Sequence, residues 1–180
     1  MNRRAALTTI GSGLCASLSG CSAVDAVIRG CRDGKDRVEY DGPVHGNTWG
    51  GFKLTARPDE VDIGNRITFK LINISDEPQD TSTKPRYLIE RREENTWKSI
   101  YWAPSGNAEY LLIQRTHDFG EGWAWTFTTT QSGFEPENPP GPDTTPDYDV
   151  CTEITPGTYR FVYSGLLGDD AMTVQFTIDA

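Results

Sequence analysis

In Arg66–Asn73 the apolar side chains Ile67, Phe69 and Leu71 fall on alternate residues. An extended chain sends alternate side chains to one face, so this segment reads as a strand with one buried face. The same period recurs with Phe52 and Leu54 in Trp49–Ala56, and with Trp123, Trp125 and Phe127 in Trp123–Thr129. Asp36–Tyr40, Tyr110–Gln114, Thr158–Tyr163 and Met172–Ile178 read as further strands. Tyr87–Glu90 and Trp97–Trp102 flank the turn residues Glu93, Glu94 and Asn95, which predicts a hairpin. Beyond the first twenty residues no segment carries a helical period, and there is no internal repeat. This pattern predicts an all-β fold, an antiparallel β-sandwich of about 7–9 strands.

One stretch breaks the pattern. Residues 131–150 hold five prolines and several acids without regular alternation. They read as a Pro-rich acidic insertion in a domain spanning 37–180.

The N-terminus reads differently again. Arg3 and Arg4 form a short positive region, and Ala5–Ser19 follows with no charge and only mild hydropathy. That stretch is too short and too weakly apolar for a membrane span, so residues 1–20 read as a secretory signal. It ends in Leu18-Ser19-Gly20-Cys21, which resembles the lipobox of prokaryotic lipoproteins. The resemblance implies that the leader is cut before Cys21 and that the Cys21 thiol is lipidated. The paired arginines before Ala5-Ala6-Leu7 resemble a twin-arginine export signal, although Ala6 stands where that signal has a bulky residue. Residues 21–36 read as the lipidated N-terminus and a polar tether.

Export fits the cysteines. Of the four, Cys15 leaves with the leader and Cys21 takes the lipid, which leaves Cys31 and Cys151 as an even pair. In an oxidising compartment they are expected to form a disulfide. Closing so long a loop stabilises the fold by about 4–5 kcal/mol in the chain-entropy account. A zinc site is not expected: the two histidines, His45 and His117, stand at no ligand-like spacing from a cysteine.

The chain carries 17 basic and 26 acidic residues. Two of the 17 are in the leader, which leaves 15 against 26 and a net charge of −11 for the mature part. Such a surface repels nucleic acid and anionic headgroups. A surplus of acid with few lysines is expected of a halophilic (haloarchaeal-type) protein, because strong salt screens the self-repulsion.

Three segments together resemble the bacterial immunoglobulin-like domains of exported lipoproteins. They are Ile67–Glu77 with its Asn-Ile-Ser-Asp turn, the hairpin Tyr87–Lys98, and Ile154–Phe161 with Pro156-Gly157 before the strand. The likeness covers roughly Gly50 to Ala180 and departs from the family at residues 103–122 and at the insertion. It implies an immunoglobulin-like antiparallel β-sandwich and carries no catalytic residues to this chain. Tyr159 has the placement of a tyrosine corner, with its ring in the core and its hydroxyl on nearby backbone.

Candidate chemistry is sparse. His117-Asp118 would suit general-base work only beside a nucleophile, and none is evident; a surface-loop dipeptide is the plainer reading. Asp143, Asp147, Asp149 and the pair Asp169-Asp170 lack the spacing of a calcium loop and read as solvated surface. Trp123 and Trp125 are candidate ligand-facing aromatics, although at least three of the five tryptophans are expected in the core. Asn73-Ile74-Ser75 is an N-glycosylation sequon, which places Asn73 on the surface if it is used.

The expectation is therefore a lipid-anchored protein on the outer face of the cell membrane. It is not an enzyme, needs no cofactor or metal, binds no nucleic acid and touches the membrane only through its anchor. The leading reading is a non-catalytic module that binds another exported or surface protein. A carbohydrate-binding module using exposed Trp and Tyr, and an inhibitor of exported proteases, are the alternatives.

Overall fold

The computed structural model describes residues 34–104, 113–137 and 148–179. The signal, Cys21 and Cys31 lie outside the described residues. Within them the fold is all-β, with no helix. The strands are β1 (Lys35–Arg37), β2 (Val44–His45), β3 (Thr48–Trp49), β4 (Phe52–Arg57), β5 (Glu60–Asp62), β6 (Arg66–Asn73), β7 (Gln79–Thr81) and β8 (Tyr87–Glu93). They continue with β9 (Thr96–Ser99), β10 (Tyr101–Pro104), β11 (Arg115–His117), β12 (Gly122–Thr130), β13 (Gly133–Pro136), β14 (Asp149–Val150), β15 (Gly157–Tyr163) and β16 (Ala171–Asp179).

Two large sheets form a sandwich. One has the order β13-β12-β6-β4-β3. The other runs β2-β16-β15-β8-β9, with β5 also lying parallel on β16. Ile67, Phe69 and Leu71 of β6 are completely buried, while on the other face Arg66 and Lys70 are exposed and Thr68 is half-buried. That is the alternation expected of a half-buried strand. Phe69 stacks across the interior on Phe161 of β15, with centroids 4.3 Å apart, and meets Phe176 of β16 edge-on at 5.2 Å. Aromatic contacts of this kind add to the area that the two faces bury.

Two small sheets flank the sandwich, β1-β10-β14 and β11-β7. Several runs that read as single strands are divided. Trp49–Ala56 breaks at Gly50 and Gly51, whose φ angles of 55° and 81° make the tight turn joining β3 to β4. Trp97–Trp102 breaks at Ile100, after which β10 leaves for the small sheet. The strand expected over Tyr110–Gln114 falls largely outside the described residues, and β11 begins just after it. The hairpin at Glu93–Asn95 is present: Glu94 and Asn95 have φ of 47° and 73°, and β8 and β9 pair on either side.

The segment expected to be an insertion contributes to the fold at both ends. Gly133–Pro136 returns as an antiparallel neighbour of β12, and Phe134 enters the core at 6% exposure. Gly133 is required there: its φ is 146°, and a Cβ would stand 2.9 Å from Val150. Asp149 and Val150 pair with β10. Residues 138–147, with Asp143 and Asp147, lie outside the described residues.

Candidate functional site

Register fixes which loops share an end of the sandwich. Phe52 pairs with Asn73 and Gly122 with Ile72, so β4 starts, β6 finishes and β12 starts at one end. In the other sheet Tyr163 pairs with Tyr87 and with Met172. Thr81 of β7 bridges to Leu166, and Ser82 N–H donates to the Gly165 carbonyl; β7 follows the end of β6 in the chain, so the loop after β15 lies at this same end. Here lie the β3–β4 turn, the 74–78 loop, the 118–121 turn and the 164–170 loop.

The exposed large apolar side chains among the described residues are Val44, Trp49, Ile74, Ile113, Phe119 and Leu167. All six belong to this end. Val44 sits in β2 opposite Ala171, Ile113 precedes β11, and the other four are in the loops just named. The opposite end carries Asp59, Glu60, Glu93 and Glu94. Single exposed apolar residues need no explanation, but their collection at one end does.

Two clefts flank Leu167. The first, about 230 Å³, lies between Trp49, Phe52, Pro78, Gln79, Leu166 and Leu167, with Asp80 and Asp170 as its charged walls. The second, about 500 Å³, runs along Ser82, Arg86, Gln114 and Asp169 on the other side. The buried Ser82 hydroxyl has no hydrogen-bond partner among the described residues.

The first cleft is braced by polar contacts. The His45 ring lies flat on Trp49, with centroids 3.6 Å apart and planes 5° apart. His45 Nε2 stands 2.8 Å from Asp170 Oδ1. Asp80 accepts from Thr116 Oγ1 at 2.6 Å and from Gln114 Nε2 at 2.7 Å. The Tyr40 hydroxyl donates to the backbone carbonyl of Asp169, tying the 164–170 loop to the N-terminal strands. No lysine or arginine pairs with Asp80 or Asp170 in the described residues.

Beneath this surface is a polar knot. Asn73 is fully buried. Its Nδ2 donates to the carbonyls of Glu77 (2.8 Å) and His117 (2.9 Å), and its Oδ1 accepts from Ser75 N–H (2.9 Å) and Oγ (2.7 Å). Every hydrogen-bonding position of the amide is used. The expectation of a surface glycan at Asn73 is corrected accordingly: the sequon is the turn's own hydrogen-bonding device. Nor is His117 a loop residue. It is 4% exposed on β11, its Nε2 is 2.9 Å from Thr81 Oγ1, and its ring meets Trp123 edge-on at 5.0 Å. Burial pushes its pKa below 6.5. The backbone N–H of Asp118 donates to the Glu121 carboxylate at 3.1 Å.

Trp123 and Trp125, the candidate ligand-facing aromatics, are turned toward the interior. Both lie on the inward face of β12. Trp123 Nε1 donates to Thr81 Oγ1 at 2.9 Å, and Trp125, 5% exposed, donates to the Lys84 carbonyl at 3.1 Å. Trp125 also walls a side cleft of about 200 Å³. Of the five tryptophans only Trp125 is fully in the core, fewer than expected; Trp97, Trp102 and Trp123 are half-buried, and Trp49 is exposed. Trp49 had no distinguishing pattern in the sequence. Cys151 is buried at 1% exposure, and its expected partner Cys31 lies outside the described residues.

No protein-family model and no curated protein sequence matches the chain. Among solved structures it is similar to β-glucosidase from Listeria innocua, in a mutant complex with laminaribiose and in a complex with gluconolactone. Each is 15% identical with a TM-score of 0.32, covering 72% of this chain. The chain spans 16% of the length of those enzymes. A likeness at this level assigns no activity.

Proposed function

We propose that this protein is a non-catalytic interaction module, held on the outer face of the cell membrane by lipid on Cys21, whose apolar sandwich end docks another exported or surface protein. The observation that carries this reading is the gathering of Val44, Trp49, Ile74, Ile113, Phe119 and Leu167 at one end. Apolar patches rimmed by polar groups characterise interaction sites. The rim here is polar and acidic, from Asp80, Asp118, Glu121, Asp169 and Asp170. The Cys31–Cys151 disulfide belongs to the same proposal and would tie the tether to the domain.

The sugar-binding alternative needs a row of exposed tryptophans. Trp49 alone is exposed, with one ring face covered by His45. The protein-docking reading is therefore preferred.

The test is chemical crosslinking on intact cells in their own salt, comparing the wild type with a Phe119→Ser/Leu167→Ser variant. Both positions are exposed, so the variant should keep its stability within about 0.5 kcal/mol. Loss of one dominant crosslinked partner in the variant supports the reading. An unchanged partner overturns it.

A further inference from the structure

We infer that the 230 Å³ cleft beside Trp49 is a receptor for a basic side chain, the guanidinium or alkylammonium group of the partner protein. This deepens the docking reading above and rests on it. Four observations point to that chemistry. The cleft has apolar walls, with Trp49, Phe52, Pro78, Leu166 and Leu167 around it. Its charged lining groups are two carboxylates, Asp80 and Asp170, and it has no cationic one. Neither carboxylate is neutralised by Lys or Arg among the described residues. Both are oriented by neighbours, Asp80 by Thr116 and Gln114 and Asp170 by His45, with lone pairs left over for a further donor.

An arginine or lysine suits such a place. Its methylene stem lies on apolar walls while its charged head meets carboxylates, and an indole beside it adds cation–π attraction. An anionic or purely apolar group would leave Asp80 and Asp170 desolvated without compensation. The second cleft lies on the other side of Leu167, so a residue of the partner next to the basic one can seat there, along Arg86 and Gln114.

The experiment is an NMR titration of the full mature domain with two tripeptide amides, acetyl-Leu-Arg-Leu and the isosteric, uncharged acetyl-Leu-citrulline-Leu. The Trp49 indole N–H and the Gly50 and Leu167 amides are followed. The expected result is saturable shifts at these positions with the arginine peptide and far smaller ones with citrulline. Asp170→Asn should weaken the arginine peptide roughly three- to fivefold, the range of a partly exposed charge pair. Equal binding of the two peptides, shifts confined to another surface, or no shifts in the millimolar range would overturn the inference. N-acetylarginine amide, which lacks flanking residues, should bind more weakly than the tripeptide. Equal affinity would make the ligand a free organic cation and remove the partner side chain. The docking reading is judged separately. If the Phe119→Ser/Leu167→Ser variant loses its partner on cells but Asp170→Asn does not, docking stands and the basic-side-chain assignment falls.

Discussion

Asn73 Nδ2 stands 2.9 Å from the carbonyl oxygen of His117 and donates to it, joining the end of β6 to the end of β11 inside the protein. With the three further bonds of the same amide it holds the 74–78 loop and the 118–121 turn in place. Those two segments carry Ile74 and Phe119, so a buried amide positions part of the exposed surface.

Replacing Asn73 tests that role. Asn73→Ala removes four hydrogen bonds, leaving the Ser75 N–H without its partner while the Ser75 hydroxyl keeps the Glu77 carbonyl, and should cost about 2–3 kcal/mol. Asn73→Asp should cost more, because a carboxylate oxygen then faces the carbonyls of Glu77 and His117. Urea unfolding of the three proteins gives the order wild type, Ala, Asp.

His117 makes stability depend on pH. Burial lowers its folded pKa below 6.5, so the unfolded chain takes up the proton first as pH falls. The stability associated with neutral His117 is present above pH 6.5 and is lost as pH falls through that value toward the folded pKa. Unfolding midpoints should therefore decline between about pH 7.5 and 5.5, and His117→Gln should flatten that decline while lowering stability throughout.

The β8–β9 turn holds Glu94 at a positive φ of 47°, where Glu is strained. Changing Glu94-Asn95 to Asn-Gly, the pair this turn geometry favours, should stabilise the protein by about 0.5–1 kcal/mol. A higher thermal midpoint without a change in binding is the expected readout.

The Tyr159 hydroxyl donates to the Thr155 carbonyl at 2.7 Å, with its ring fully buried. Tyr159→Phe keeps the packing and should cost about 1 kcal/mol. A loss well above that would mean that the ring itself shifts.

Non-reducing peptide mapping tests the cysteine proposals. A linked Cys31–Cys151 peptide and a lipid mass on an N-terminal Cys21 are expected. A free thiol at Cys151 would contradict the first, and an unmodified Cys21 the second.

The sandwich was legible wherever one face of a strand is buried. Ile67, Phe69 and Leu71 announce β6 because water on one side and core on the other impose the period. The Glu94-Asn95 hairpin was legible from its turn residues. Phe134 was not, because prolines and acids around it mask a short strand whose partner lies across a turn. The sequon misled because Asn-Ile-Ser also describes a turn in which asparagine bonds its own backbone. The candidate docking end was invisible for a geometric reason. Its six apolar residues are scattered from position 44 to 167, and each alone is an ordinary exposed side chain. Only the register of the two sheets brings them together.

The docking claim is tested most directly by a photocrosslinking amino acid placed at position 119 or 167, and in a control at position 94, in cells at their native salinity. The account predicts one shared crosslinked protein from positions 119 and 167 and none from 94. The same protein captured from position 94, with nothing from 119 or 167, would place the contact at the opposite end and contradict it.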